Sequence, residues 1–355
     1  MVFPREVIVG HNVTDQVKGL CGRITKSKNV LIVVDKNTRR ICGDRISKIL
    51  SGSSYDVNVT TIPFPIIKKG MPAAWPSIKE VNLVIKSVQE NNSDFLLGVG
   101  GGSVIDVTKL AASELQKPYV SVPTSAAHDG MASPRASIKD KKGSISKTAD
   151  SPIAVLADTS IIKQAPPKML RSGCADVVSN LTAVKDWELA HRLKNEEFST
   201  FSAALSETSA KLLLERAEDI RTGLEEAVWQ AVKCMITSGV AMSVAGNTRP
   251  ASGSEHMFSH MLDQIAPGKA LHGEQCGVGA IMMMYLHGGD WEEIRDFLET
   301  IGAPTTANEL GIPKKKIIYA LLHAQEIRPE RYTILGEQGL TEDAAKKLAK
   351  LTGVI

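Results

Sequence analysis

The stretch from Phe95 to Ala112, FLLGVGGGSVIDVTKLAA, constrains the fold more than any other part of the chain. An apolar run of strand length passes straight into Gly100-Gly101-Gly102. Apolar residues Val104, Ile105, Val107 and Leu110 then recur at helical spacing, with Ser103 positioned to cap the helix. Glycines let the backbone come close to a ligand, and the N–H groups at a helix start attract phosphate. A tight turn needs fewer than three consecutive glycines, so the pattern predicts a seat for the pyrophosphate of a nucleotide, although it is not the GxGxxG fingerprint.

Three further runs, Val30 to Val34, Val57 to Ile62 and Tyr119 to Val122, have strand length and β-branched content. Segments of helical spacing, such as 42–50 and 78–89, lie between them. This alternation predicts a Rossmann-like parallel sheet with covering helices. Ala136 to Lys139 and Ser144 to Thr148 flank Asp140-Lys141-Lys142-Gly143 and read as a β-hairpin, and a last strand runs from Ile153 to Ala157. After Pro166 and Pro167 only helical periodicity remains, over 168–191, 201–221, 224–246 and onward. At 355 residues the chain exceeds the usual size of one core. The predicted division is an α/β dinucleotide-binding domain at 1–164, followed by an all-α metal- and substrate-binding domain at 165–355.

Candidate ligand-binding side chains lie where such folds present them. Asp35 ends the VLIVVD strand, where an acid bonds a ribose hydroxyl or, equally, caps the next helix. Its charge disfavours a 2′-phosphate, and Lys36, Arg39 and Arg40 soften that bias, so NADH and NADPH both remain open. The loop from Ser121 to Ile138 follows a strand and would line the ligand crevice, with Thr124 and Ser125 able to bond a cofactor and His128 and Asp129 a substrate.

In the helical half, SGSEHMFSHMLDQIAPGKALHGEQCG, from Ser252 to Gly277, carries His256, His260 and His272. His256 and His260 are one helical turn apart and share a face, and Pro267 and Gly268 separate them from the helix that His272 opens. Asp176 sits in an otherwise apolar segment read as a helix start, where an acid also interacts favourably with the helix dipole. Asp176, His256 and His272 together would supply one carboxylate and two imidazoles from three helices, leaving a fourth position for water or substrate, as catalytic zinc requires. Cys276 reads as a small buried thiol and Glu274 as support for the helix start.

Composition excludes several classes. There are 42 basic and 39 acidic residues, a net charge of +3 with no long run of one sign, which argues against nucleic-acid binding. Five scattered cysteines without a CxxC pair suit a reducing cytoplasm rather than a disulfide framework. MVFPREVIVG is too short an apolar run for a signal peptide, and no stretch is expected to reach the ~18 apolar residues of a membrane span.

GVGGGSVID (98–106), PTSAAHDGMAS (123–133), GCADVVSN (173–180), SGSEHMFSH (252–260) and ALHGEQCGVG (270–279) occur together in this order. By them the chain resembles the dehydroquinate synthase-like and iron-containing alcohol dehydrogenase superfamily, and within it the glycerol-1-phosphate dehydrogenase branch. The resemblance implies that Gly102, Ser103, Val104, Ile105 and Asp106, with Thr124, Ser125, Ala126, Ala127 and Ser133, hold NAD(P). It implies that Asp129 and His260 meet the substrate and serve catalysis, and that Asp176, His256 and His272 bind one zinc ion per subunit, Asp176 also bordering the substrate. The implied reaction is reduction of dihydroxyacetone phosphate to sn-glycerol 1-phosphate, the archaeal lipid backbone, by a homo-oligomer. The alternatives are an NAD-dependent glycerol dehydrogenase, a lyase of the dehydroquinate synthase type, and a non-catalytic nucleotide-binding homologue.

Overall fold

The computed structural model describes residues 3–64, 76–140 and 143–355. Six strands form one fully parallel sheet: β1 (Glu6–Gly10), β2 (Asn29–Asp35), β3 (Asp56–Ile62), β4 (Phe95–Gly100), β5 (Tyr119–Pro123) and β8 (Ala154–Asp158). Their spatial order is β1-β8-β5-β4-β2-β3. The chain moves outward from β2 to β3 and then returns to the other side of β2 with β4. A crevice therefore opens between the carboxyl ends of β2 and β4, the place where open parallel sheets bind ligands.

Residues alternate across β2, and each face builds its own core. Val30, Ile32 and Val34 pack with Leu20, Ile46 and Leu50 on one side, while Leu31 and Val33 pack with Val81, Val84 and Leu110 on the other. Each large aliphatic buried this way contributes about 1.5–3 kcal/mol. Helices on both faces are what a parallel sheet of such apolar strands requires.

β1 was not foreseen. EVIVG is short, and it becomes an edge strand only through pairing with β8, 148 positions later in register. The hairpin forms between β6 (Arg135–Asp140) and β7 (Gly143–Thr148), while its turn residues Lys141 and Lys142 lie outside the described residues.

Beyond Pro167 the described residues are helical, with two corrections. The expected helix over 168–191 breaks at Ser179 into Pro167–Val178 and Asn180–Lys194, and that over 201–221 into Thr200–Leu214 and Ala217–Thr222. The expectation that no stretch has the length of a membrane span also needs amending. Glu225–Ala245 is apolar enough over 21 residues, but 67% of its window is buried within the protein, as in a core helix.

Candidate active site

One cavity of about 930 Å³ runs from the end of β2 past the glycine turn to the helical half of the chain. Asp35, Gly101, Gly102, Ser103 and Val104 line one end, and Asp176, His256, His260 and His272 the other.

The glycine turn is shaped by close approach. Gly101 has φ −73° and ψ −178°, which any residue can adopt, so backbone conformation alone does not demand glycine there. A Cβ at Gly100 would lie 2.6 Å from Val104 Cβ, and one at Gly102 would lie 1.8 Å from His128 Nε2. The helix spans Gly102–Glu114 with Gly101 as N-cap and no side-chain cap, so Ser103 is an early helical residue rather than the cap expected. The second loop runs close to this turn: Thr124 N donates to Gly100 O at 3.0 Å, and a Cβ at Gly101 would lie 3.2 Å from Ser125 Oγ. The helix start opens on the cavity.

Of the other residues assigned to the cofactor, Asp106, Ser125, Ala127 and Ser133 line the cavity. Ile105, Thr124 and Ala126 are buried behind its wall. The Asp106 carboxylate accepts from Lys109 Nζ at 3.2 Å and Ser137 N at 3.1 Å, so it braces the hairpin against the helix. Asp35 caps the following helix, its Oδ1 accepting from Asn37 N at 2.7 Å and Thr38 N at 2.8 Å. It lines the cavity as well, so the two roles are compatible.

At the far end, ligand atoms of Asp176, His256, His272 and Cys276 all lie within 4.8 Å of one another. His256 Nε2 is 3.5 Å and His272 Nε2 3.7 Å from Asp176 Oδ1, and Cys276 Sγ is 3.6 Å from His272 Nε2. Asp176 belongs to the last turn of Pro167–Val178 and not to a helix start. The helix dipole therefore opposes its charge instead of favouring it. Its Oδ2 accepts from Asp129 N at 3.2 Å, while Oδ1 is buried without a hydrogen-bond partner. Burial, reinforced by the Glu255 charge and opposed by the Asp129 N–H, pushes its pKa up to about 7.

A buried acceptor left unpaired is costly, and a divalent cation among these donors would satisfy it. The imidazoles suit that role: burial first, then the neighbouring His272, holds His256 well below its usual pKa, so it is neutral. Glu255 Oε1 accepts from His256 Nδ1 at 2.8 Å, which turns the Nε2 lone pair toward Asp176. Ser259 Oγ bonds His272 Nδ1 at 3.1 Å in the same manner. Such outer partners orient metal ligands.

His260 stays outside this group of four. Its ring stacks beside His272 with centroids 5.7 Å apart, and its Nδ1 has no partner. Asp129 is held by Ser238 Oγ at 2.8 Å, and burial, with the Asp176 charge next, pushes its carboxyl up to about 7. His128 lies against the glycine turn, its Nδ1 accepting from Gly130 N at 2.9 Å.

The basic side chains of this region are placed differently from one another. Arg249 is buried in an ion pair with Glu196, and Lys269 is exposed away from the cavity wall. Arg135 lines the cavity while Ser146 and Thr148 engage its guanidinium, and Arg328 lines the cavity as well. Sequence reasoning missed it, along with Glu255 and Ser238, because none belongs to a periodic pattern that converges on the site. For Glu255, position directly before a histidine in SEHMFSH was the available signal.

The profile described as "Iron-containing alcohol dehydrogenase" matches residues 8–166. A Methanosarcina acetivorans protein named glycerol-1-phosphate dehydrogenase (NAD(P)+) is 51% identical over 100% of this chain and 96% of its own length. A Thermococcus sibiricus protein of the same name is also 51% identical, over 100% of this chain and 98% of its own. The crystal structure of glycerol dehydrogenase from Schizosaccharomyces pombe superposes with a TM-score of 0.81 at 20% identity, covering 99% of this chain and 91% of that one. The last likeness establishes the fold.

Proposed function

The chain belongs to the glycerol-1-phosphate dehydrogenase family, and on that premise we propose that it reversibly reduces dihydroxyacetone phosphate to sn-glycerol 1-phosphate with NADH or NADPH and zinc. The product supplies the backbone of archaeal-type ether phospholipids. The observation that carries this reading is one cavity with a glycine-lined helix start at one end and an unpaired, buried Asp176 oxygen between two imidazoles at the other.

Gly101 to Val104 seat the dinucleotide pyrophosphate at the helix start, and Asp35 borders the cavity nearby. The nicotinamide supplies the hydride when the cofactor is bound. Asp176, His256 and His272 would hold the zinc, which polarises the ketone when present. Cys276, fully buried with its thiol pushed well up by burial and by the Asp176 charge, stands beside them. Asp129, with one oxygen held by Ser238, presents the other to a substrate hydroxyl. His260, neutral and unpartnered at Nδ1, is suited to pass a proton to the new hydroxyl oxygen. The reading also carries a cytoplasmic location, two domains meeting near residue 164, and self-association. Exposed Phe201, Leu212 and Trp229, grouped on two adjacent helices, favour the last.

Assay of purified protein with dihydroxyacetone phosphate, dihydroxyacetone, NADH and NADPH tests the activity, with chiral analysis of the product. Reduction of dihydroxyacetone with none of its phosphate would instead identify a glycerol dehydrogenase, and the 3-phosphate enantiomer would refute the stated product.

A substitution at the glycine turn tests the seat. Gly102→Ala puts a methyl where His128 now lies, and His128 is itself pinned by Gly130. The expected result is a KM for the dinucleotide raised about tenfold or more with a smaller change in kcat. An unchanged KM would contradict the assignment of this turn to the cofactor.

A further inference from the structure

The cavity wall holds Arg328, with Arg331 beside it on the shared Thr248 hydroxyl, and the roles above leave both unused. Arg328 follows the short helical turn Ala324–Ile327, and Arg331 lies three residues further along. Arg331 donates to Ser252 O at 2.5 Å and to Thr248 Oγ1 at 2.8 Å. Among the described residues the hydrogen bonds of Arg328 are long, 3.3 Å to Thr248 Oγ1 and 3.5 Å to Ser252 Oγ. Among the described residues neither guanidinium forms an ion pair, in contrast to Arg249 with Glu196. Both are half-buried.

Two adjacent half-buried guanidiniums with no carboxylate in ion-pair range are an under-compensated positive site. Burial depresses both, with Arg135 adding to it at Arg328 and Arg328 adding to it at Arg331, which falls to about 9. Their charge is also felt at His256 and His260, so the pair lies close to the reacting end of the cavity. Thr248 and Ser252 line the cavity with Arg328, adding hydroxyl donors to the guanidinium fork. The segment is firmly placed: Asp186 Oδ1 accepts from Ile334 N at 2.7 Å while its Oδ2 accepts from Ser254 N at 2.7 Å. One buried carboxylate thus ties the arginine segment to the helix that carries His256 and His260.

We propose that Arg328 and Arg331, backed by Thr248 and Ser252, grip the phosphate of the substrate and so select the phosphorylated three-carbon ketone over the free one. Planar guanidiniums match a phosphate oxygen pair with charge-assisted hydrogen bonds. A dianion between them relieves the repulsion that the empty pair carries. This rests on the proposed reaction, and it adds the determinant that separates a phosphate-accepting enzyme from one acting on the bare triol.

The test compares wild type, Arg328→Leu and Arg331→Leu with dihydroxyacetone phosphate and dihydroxyacetone. The ratio of kcat/KM for the two substrates is expected to fall by about 100-fold or more in each variant, carried by KM for the phosphate ester. Competitive inhibition by inorganic phosphate is expected in the wild type and weakened in both variants. Labelling of wild-type protein with an arginine-selective dicarbonyl, followed by peptide mass mapping, needs no variant to fold. Inorganic phosphate is expected to protect the peptide holding Arg328 and Arg331. Wild type that reduces the phosphate ester while both variants keep the ratio, or labelling that phosphate leaves untouched, overturns the proposal. Wild type inactive on the phosphate ester overturns the proposed reaction instead.

Discussion

Asp176→Ala should abolish both the divalent-metal binding proposed for this centre and turnover. Metal per chain is expected to fall to background, and kcat/KM by about 1,000-fold or more, since Lewis-acid polarisation supplies several kcal/mol. Asp176 Oδ1 is the atom toward which His256 and His272 converge, so its loss leaves two imidazoles without the anionic ligand.

The metal-free protein offers a readout independent of activity. Burial lifts the Asp176 carboxyl from 3.8 to about 7 in the folded chain. An acid so raised leaves the fold's stability intact below its unfolded pKa, and stability is then lost as pH rises through the folded value. Metal-free wild type should therefore melt lower at pH 8 than at pH 5. Asp176→Ala should show a smaller drop, with a melting temperature at pH 8 equal to or above that of metal-free wild type. Retained metal with normal rates would remove Asp176 from the centre, and an unaltered pH dependence would remove the account of its burial.

The second large effect is expected from a residue that ligates nothing. A Cβ at Gly273 would lie 1.9 Å from the carbonyl oxygen of Ser172 and 2.7 Å from its carbonyl carbon. Those are backbone atoms and cannot rotate away, so Gly273→Ala must part the helices Pro167–Val178 and His272–Leu286. The first carries Asp176 one turn beyond Ser172, and the second begins at His272. Overpacking of this kind costs about 1–3 kcal/mol, and the melting temperature should fall by several degrees. Metal affinity should fall about tenfold or more as His272 withdraws from Asp176. Gly277→Ala is the control, because its Cβ would meet only the side chains of Ala175 and Leu298, at 3.1 and 3.2 Å. Wild-type melting and metal content in Gly273→Ala would show that the helices separate without cost.

Much of the fold was legible because its signals are local. The β-branched runs and the periodicity between them predict the strands β2, β3, β4, β5 and β8. The three glycines predict a tight strand-to-helix turn, found at Gly100–Gly102. The edge strand β1 was not legible, since five residues become a strand there only by pairing with a distant partner. The break at Ser179 was hidden because apolar spacing continues through it.

For the site, the sequence by itself determined which residue types are available and which of them share an element. His256 and His260 stand one turn apart on the same helix, and by spacing alone they are the obvious pair. Tertiary packing decided otherwise: His256 and His272 approach Asp176, while His260 stacks outside. Packing also drew in Glu255, Cys276 and Arg328, and it buried Arg249 in an ion pair with Glu196. The physical reason is that helical periodicity sets neighbours only along one helix. Which faces of different helices meet depends on close contacts between them, here the Ser172 carbonyl seated where a Cβ at Gly273 would stand, and no local pattern records that distance.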